Sequence, residues 1–467
     1  MNQAVLTDGL RGTRLMLAAV SIYIGMICAN LDMVILQNAL PSLTHELGIV
    51  SSDAVWVVTL YMLVMLILLM PVSSLSDRIG YKRTYLWGVG LFALASLGCG
   101  LAPGFTSLQI GRALQGVGAA AMMSCTTSLI RLVYPRERMA RAIAANATVV
   151  AISLAAGPSL AAVILLHLNW HWLFWLNVPL GIIAMLLGYY ALPDNTQQLP
   201  LRLDRVSLGQ WRKAVAMIDG PSFVMSAVFF VLLLLGSDHI SQQPLIGSLA
   251  LAAAVLFGWG FVRREKRTPF PMLPMDLLSK RDYALTILTS FASFTAQGAA
   301  FVALPFFLQH RMQLSLAESA LVMTAWPVAL AVAAPLAARI SQRYAISKVC
   351  AAGLTMLATG LVAVASGWLP AASEWLMIPL ALCGAGFGLF QAPNNYLIIA
   401  AAPAERSGAV GGLRAVTRVF GQLTGAAMVG LLFALSSSGG TNGSVSGLLL
   451  AALLAAIGAL ASMTRRA

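Results

Sequence analysis

Residues 15–38 read LMLAAVSIYIGMICANLDMVILQN, an apolar run with a single acidic residue, Asp32. A helix of about 20 residues crosses the ~30 Å hydrocarbon core of a bilayer, and this run is long enough to do so. Similar runs recur along the 467-residue chain between short polar segments. They do not alternate in polarity like the ~10-residue strands of a membrane β-barrel. Because a helix satisfies its own backbone hydrogen bonds in lipid, the sequence predicts an all-α integral membrane protein.

The composition supports this class of protein. Hydrophobic residues make up 59% of the chain and charged residues 10%, whereas a soluble domain carries roughly 25% charged residues. The five cysteines all fall in apolar runs. An odd number of cysteines in such places argues against a disulfide framework, so we interpret them as small packing residues.

The apolar runs predict fourteen membrane spans. They lie near residues 15–38, 55–75, 84–103, 106–130, 140–165, 172–193, 214–236, 243–262, 283–309, 319–340, 349–369, 375–401, 408–435 and 445–463. We expect two six-helix bundles, residues 1–193 and 283–467, with two additional transmembrane helices in the linker 194–282. A weak repeat, in which Pro71 at the end of span 2 matches Pro335 at the end of span 10, supports two related halves.

The basic residues are distributed unevenly between the two sides of the predicted membrane. The chain has 29 Lys and Arg against 16 Asp and Glu, a net charge of +13. If the amino terminus is cytoplasmic, Arg311 falls in an outer loop, three arginines fall within spans, and all other basic residues lie on the inner side. This asymmetry follows the positive-inside rule, so both termini are predicted to be cytoplasmic. It also explains the charge without nucleic acid as a partner.

Asp32 is the one acidic residue that falls well inside a predicted span. A charged side chain in the bilayer costs at least ~2.5–3.5 kcal/mol, so such residues usually face a cavity or a partner. At ~1.5 Å per residue, Asp32 and Arg112 of span 4 both lie ~10 Å below the outer face and can meet. Such a pair either locks two helices together or binds protons, since burial favours the neutral carboxyl and a guanidinium favours the carboxylate.

Several motifs resemble those of the major facilitator superfamily, in its fourteen-span drug:proton antiporter branch. They are DRIGYKR at residues 77–83, RALQGVG at 112–118, AGP at 156–158 and LDMVILQNALP at 31–41. The resemblance implies that the span 2–3 loop controls conformational switching, through Asp77, Arg78, Gly80, Lys82 and Arg83. It also implies a pivot at Gly157 and Pro158, where proline removes a backbone donor and bends the helix.

The resemblance further implies a function, namely proton-coupled export of lipophilic cations across a bacterial inner membrane. Asp32 would alternately bind a proton and attract the cation, Arg112 would take part in proton transfer, and no cofactor is expected. The expected substrates are quaternary ammonium compounds, dyes and viologen-like cations, handled by a monomer. Candidate cavity residues, whose aromatic members fit ordinary helix packing equally well, are Gln37, Tyr61, Met65, Phe291, Phe294, Gln297, Phe387 and Asn394.

Arg414 and Arg418, one helical turn apart near the inner end of span 13, leave an alternative open. They fit a structural or gating contact, or a site for an anionic substrate. In the second case the protein would export or facilitate the passage of a physiological metabolite or anion. The sequence has no catalytic or metal-ligand set and no phosphate-binding Gly-x-x-x-x-Gly-Lys-Ser/Thr motif. It therefore predicts a secondary transporter and not an enzyme.

Overall fold

The computed structural model describes residues 9–194, 220–240, 243–267, 275–367, 373–400, 407–436 and 440–465. All structural statements below concern these residues. Their regular secondary structure is helical throughout. The stretch 195–219, which includes the beginning of the seventh predicted span, lies outside the described residues.

The first part of the chain is built from helices α1 to α7. These are α1 (Gly12–Leu47), α2 (Ser51–Ile79), α3 (Tyr81–Gly100), α4 (Phe105–Val133), α5 (Met139–His167), α6 (His171–Trp175) and α7 (Asn177–Ala191). A short 3-10 turn, Arg136–Arg138, precedes α5. Helices α6 and α7 together form one apolar stretch, His171–Ala191.

The described remainder of the chain is built from helices α8 to α16. These are α8 (Gly220–His239), α9 (Pro244–Glu265), α10 (Met275–Leu278), α11 (Arg281–Phe306), α12 (Leu316–Ile340), α13 (Ile346–Ala365), α14 (Ser373–Ala400), α15 (Ser407–Leu435) and α16 (Gly440–Met463). A π-helical turn, Phe307–Arg311, continues α11. Ser315 begins α12 with a capping box, because its hydroxyl accepts from the Glu318 amide while the Glu318 carboxylate accepts from the Ser315 amide.

Twelve helical stretches among the described residues are long and apolar enough to cross a membrane. The two remaining predicted spans correspond to α3, a 20-residue helix, and to α5, whose apolar part is the shorter Ile152–His167. Every predicted span overlaps a helix in the expected order. The all-α membrane fold is therefore confirmed, while the number fourteen stays a prediction.

The described residues form two compact units. The first is drawn from Met1–Asp32, Leu60–Ser153 and His171–Val228, and the second from Met33–Thr59, Leu154–Trp170 and Phe229–Ala467. In the first unit α3 packs along α4 and α7, and in the second α11 packs along α15 and α16 while α14 packs along α12 and α13. The predicted bundle boundaries at residues 193 and 282 remain a prediction.

Small residues bring α3 and α4 into backbone contact. A Cβ atom added at Gly118 would lie 2.7 Å from the Phe92 nitrogen and 2.8 Å from the Gly88 carbonyl oxygen. In lipid no hydrophobic effect drives helices together, so membrane helices associate through close packing of this kind. The contact packs α4, which bears Arg112, directly against α3.

Candidate functional site: a buried acid–arginine cluster

Asp32 and Arg112 form an ion pair in the interior of the first unit. Nη1 of Arg112 lies 2.6 Å from Oδ2 of Asp32, and neither side chain is exposed. The two residues are 80 positions apart in the sequence and belong to α1 and α4. Asp32 and Arg112, which the sequence places at the same depth, are therefore in direct contact.

Three further polar side chains surround this pair. Asn177, the first residue of α7, donates from Nδ2 to Oδ1 of Asp32 at 2.9 Å. Gln115 accepts from Arg112 Nη1 at 2.7 Å and donates to Ser96 of α3 at 2.7 Å. Gln115 also lies 3.4 Å from Oδ1 of Asp32. Both carboxylate oxygens of Asp32 thus accept from at least one donor, and we refer to these five residues as the Asp32 cluster.

Two aromatic rings cover the guanidinium group of Arg112. Its Cζ atom lies 4.3 Å from the ring centroid of Tyr61 and 5.9 Å from that of Phe174. A cation over an aromatic face is stabilised by the ring quadrupole, more strongly when water is excluded. The Tyr61 hydroxyl donates to the Ala29 carbonyl at 3.4 Å, which links this ring to α1.

Local sequence explains why Tyr61 reaches Arg112. Gly116 lies one helical turn after Arg112 on α4, and a Cβ atom there would be 2.8 Å from the Tyr61 carbonyl oxygen. The absence of a side chain at Gly116 lets α2 approach α4 at this level. The Gln115-Gly116 pair of the fourth-span motif therefore supplies both a hydrogen-bonding partner and the space for an aromatic cover.

The Asp32 cluster contains one carboxylate and one guanidinium group that are both fully buried. One negative and one positive charge neutralise each other away from water, so removing either charge leaves the other without its partner. A proton on Asp32 would abolish the ion pair while leaving Arg112 with its bond to Gln115.

The structure distributes the predicted cavity residues over several contacts. Tyr61 belongs to the cover of Arg112, and Met65, one turn further along α2, is buried. In the second unit the rings of Phe294 and Phe387 meet edge to face, with their centroids 5.6 Å apart, and Gln297 accepts from Gln422 at 3.0 Å. Their proposed contact with a substrate stays a prediction.

Three other predicted cavity residues also have defined surroundings. Gln37 is buried, and its Oε1 has no hydrogen-bond partner among the described residues. The ring of Phe291 lies 5.0 Å from that of Phe420, which in turn lies 5.0 Å from Phe230 of α8. This contact places the first of the two additional helices against α15. Asn394 donates to Ser290 at 2.6 Å.

The predicted switching loop contains a backbone position that requires glycine. Gly80 has φ +101° between α2 and α3, a conformation that side chains with a Cβ rarely adopt. Its N–H donates to the Ser76 carbonyl at 3.0 Å. Lys82 donates to the carbonyl of Tyr189 on α7 at 2.8 Å. Arg83 lies in the first turn of α3, and the side chains of Asp77 and Arg78 lie outside the described part of the chain.

The predicted pivot in α5 packs on α1. A Cβ atom at Gly157 would collide with the side chain of Val34, and Pro158 follows it inside the helix.

In α15, Arg414 and Arg418 are both partly buried, and the neighbouring residues Leu413 and Thr417 are buried. A pivot at Gly157 and Pro158 and a gating or anion-binding role for the two arginines remain predictions.

Sequence reasoning did not assign a role to four residues that the structure shows in polar networks. Gln115 lies within the motif at residues 112–118 and Asn177 within the predicted span 172–193, so the two amide groups inside apolar runs were a usable signal. Ser96 gave no signal in the sequence. Arg465 was counted only among the inner basic residues, yet it is 6% exposed and bonded to Asn394.

Among the described residues no group of three acidic, histidine or cysteine side chains could hold a metal ion.

The helices and the buried ion pair define a polytopic membrane protein with a charged site in its interior. The sequence matches the Major Facilitator Superfamily over residues 22–426 and again over 286–465. The chain therefore belongs to this superfamily of transporters.

Relatives within the superfamily span nearly the whole chain. The chain is 40% identical over 99% of its length to the uncharacterized transporter YebQ of Escherichia coli, covering 98% of that protein. It is 28% identical to the riboflavin transporter RibZ of Clostridioides difficile, over 89% of this chain and 87% of that one. It is also 28% identical to the multidrug resistance protein Stp of Mycobacterium tuberculosis, over 90% and 76% respectively. The crystal structure of a peptide transporter with bound sulfate shares the fold at a TM-score of 0.70 and 15% identity, over 99% of this chain and 97% of that one.

Proposed function

We propose that the protein is a proton-coupled antiporter that exports lipophilic, mostly cationic drugs or biocides by alternating access, with Asp32 as the coupling carboxylate. The observation that carries the proposal is the Asp32 cluster, in which an intramembrane acid is held by Arg112 at 2.6 Å and by Asn177 at 2.9 Å. Intramembrane acids of this kind are rare because of their cost and mark proton or ion pathways.

In this mechanism the proton and the substrate cation compete with Arg112 for one carboxylate. Each oxygen of Asp32 already accepts from a donor, so a cation approaches it only when Arg112 withdraws. Protonation of Asp32 removes the charge that holds Arg112 and makes the site unattractive to a cation. Proton uptake therefore favours release of the substrate, and substrate binding favours release of the proton.

The choice of substrate class is supported by two observations. The relative Stp is a multidrug resistance protein. The second unit contains two aromatic pairs, Phe294 edge-on to Phe387 and Phe291 tilted against Phe420. Aromatic faces give tolerant contacts to apolar cations through dispersion and cation–π attraction.

Substrate-induced proton release from the purified protein tests this function. In weakly buffered detergent solution we expect a lipophilic cation to release protons from the wild type and none from Asp32→Asn. Glu374→Gln, which removes an exposed acid at the start of α14, is the matched control and should behave like the wild type. If Asp32→Asn releases as many protons as the wild type, Asp32 is not the coupling group and the proposal is wrong.

A second candidate function is transport of a physiological metabolite. It is favoured by the relative RibZ, a riboflavin transporter. A facilitator or symporter for a metabolite would still transport after Asp32→Asn without a proton gradient. An anion exporter would depend on Arg414 or Arg418 and be indifferent to Asp32. Including anionic and neutral aromatic compounds in the transport assay, with Arg414→Gln and Arg418→Gln, separates these alternatives.

A further inference from the structure

Arg465 lies two residues beyond the end of α16, with its side chain inside the second unit. It is 6% exposed. Its Nη1 atom donates to Oδ1 of Asn394 on α14 at 2.9 Å and approaches the Thr286 hydroxyl of α11 at 3.4 Å. The guanidinium group therefore joins three helices at one end of the unit.

The partner of Arg465 on α14 is itself held in one orientation. Asn394 uses its Nδ2 group to donate to Ser290 at 2.6 Å, which leaves its carbonyl oxygen facing Arg465. Three residues before Arg465, Ser462 of α16 donates to the carbonyl of Ser347 on α13 at 2.9 Å and fixes the end of α16. The contacts with Asn394 and Thr286 thus hold the guanidinium inside the unit and away from solvent.

The opposite edge of the same guanidinium is unused. Nε and Nη2 of Arg465 are both buried, and neither has a hydrogen-bond partner among the described residues. These two nitrogens point their N–H groups in the same direction, as a two-pronged donor whose spacing matches two oxygens of one phosphate or carboxylate group. A buried donor without a partner is destabilising, so this edge favours a ligand that accepts two hydrogen bonds.

The charge of this region selects an anion. Burial lowers the pKa of Arg465, and attraction from Cys350 and Asp282 acts in the opposite direction; an arginine nevertheless stays protonated at physiological pH. The same end of the unit bears Lys280 and Arg281 at the start of α11. The positive-inside rule predicts that this end is cytoplasmic, and Arg465 lies two residues beyond an apolar span that ends at Met463. A water molecule can accept from one prong, whereas an oxyanion accepts from both and compensates the charge.

We propose that Arg465 is an oxyanion-binding site that takes one phosphate group through Nε and Nη2, with Asn394 and Thr286 holding the guanidinium in place. The phosphate belongs either to an anionic lipid headgroup or to a soluble phosphate compound. This inference is independent of proton coupling at Asp32.

Thermal unfolding of the full-length purified protein tests the site with two probes. The first is inorganic phosphate against chloride at equal ionic strength, which removes general screening as an explanation. The second is phosphatidylglycerol against pure phosphatidylcholine in nanodiscs. A ligand that binds only the folded state raises the melting temperature, and we expect a rise of roughly 2–4 °C near saturation in at least one arm.

Two variants connect the rise to Arg465. Arg465→Lys keeps the charge but loses the two-pronged edge, so we expect the response to disappear or the affinity to fall at least about tenfold. Arg339→Lys, at an exposed position at the end of α12, is the matched control and should respond like the wild type. If Arg465→Lys fails to fold, Asn394→Asp serves instead, because its carboxylate neutralises Nη1 and should reduce the response.

The outcomes separate the sources of the phosphate. A response to inorganic phosphate assigns a soluble ligand, and a response only to phosphatidylglycerol assigns a lipid headgroup. If neither probe stabilises the wild type, or if Arg465→Lys responds as strongly as the wild type, the site does not exist. Neither result changes the comparison of proton release between the wild type and Asp32→Asn, so the two proposals fail separately.

Discussion

At the scale of single residues, Arg112 is held by an acid on one side and by aromatic rings on the other. Nη1 contacts Asp32 and Gln115 at 2.6 and 2.7 Å, while the Tyr61 ring lies 4.3 Å from the guanidinium carbon. Because the group is fully buried, its contacts replace the hydration that it lost. The ion pair and the aromatic cover make separate contributions that substitutions can distinguish.

The ion pair predicts a rescue between two substitutions. Arg112→Gln alone leaves the Asp32 carboxylate buried without its cation and should lower the free energy of unfolding by about 3–5 kcal/mol. Adding Asp32→Asn removes the uncompensated charge, so the double variant should recover most of the lost stability. Unfolding of both single variants and the double variant forms a double-mutant cycle. A double variant no more stable than Arg112→Gln would contradict the pairing.

The aromatic cover predicts a difference between two substitutions at Tyr61. Tyr61→Phe keeps the ring over Arg112 and loses only a hydroxyl contact at 3.4 Å, so its stability should stay close to that of the wild type. Tyr61→Leu loses the ring and should destabilise the protein by about 1–2 kcal/mol more. Unfolding midpoints of the two variants measure the difference, and equal midpoints would show that the ring contributes only volume.

At the scale of helices, small residues determine how closely two helices approach. The contact between Gly88 and Gly118 sets the distance between α3 and α4. The absence of a side chain at Gly116 lets α2 approach α4. In the second unit, an added Cβ atom at Gly421 would lie 2.9 Å from the Phe291 carbonyl oxygen, so α11 and α15 also meet closely. The polar and aromatic contacts that lie beside these crossings depend on them.

The helix crossing in the first unit predicts a steric effect of one methyl group. Gly118→Ala should destabilise the protein by about 1–3 kcal/mol and weaken proton release, because the added Cβ meets backbone atoms that cannot move alone. Gly412→Ala on α15 is the matched control, since nothing lies within 4 Å of its added Cβ. Alanine favours a helix over glycine, so the control should be neutral or slightly stabilising. If both variants melt at the same temperature, the crossing is not tightly packed.

The additional helix α8 has a defined contact in the second unit. The rings of Phe229 and Phe230 lie 6.0 and 5.0 Å from that of Phe420 on α15, which also contacts Phe291 of α11. Offset and edge-on aromatic pairs of this kind add stability beyond their buried area. The sequence assigned no role to this helix, and the structure shows aromatic residues in its contact with α15.

At the scale of the whole molecule, the proposed antiport at a single embedded acid predicts the charge that each transport cycle moves. Asp32 is the one acid that the sequence places well inside a predicted span. Exchange of one proton for one monovalent cation is therefore electroneutral. Export of a dication for one proton would move net charge against an inside-negative potential, at ~2.3 kcal/mol per 100 mV.

A single coupling acid predicts how efflux depends on membrane potential. In vesicles with a constant pH gradient, efflux of a monovalent cation should not change when a potassium diffusion potential is imposed. Efflux of a divalent cation should slow as the potential opposes it. A strong response of monovalent efflux to the potential would exclude the exchange of one proton for one cation.

The sequence by itself determined the membrane helices and the presence of a site inside them. Hydropathy and charge asymmetry are local properties of the chain, so the spans could be placed before any packing was known, and the embedded Asp32 was visible for the same reason. Depth along a helix follows from residue number alone, which is why Arg112 could be predicted as its partner.

Only the tertiary structure decided which other groups complete the site. Asn177 is 145 residues from Asp32 in the sequence, and Ser96 joins through Gln115. Arg465 enters a network with Asn394 and leaves one edge of its guanidinium unused. Such contacts depend on how each helix is rotated and how closely it packs, and no local pattern encodes either quantity. The sequence therefore indicated that an acid and an arginine lie in the membrane, and the packing of α1, α3, α4 and α7 made them a cluster.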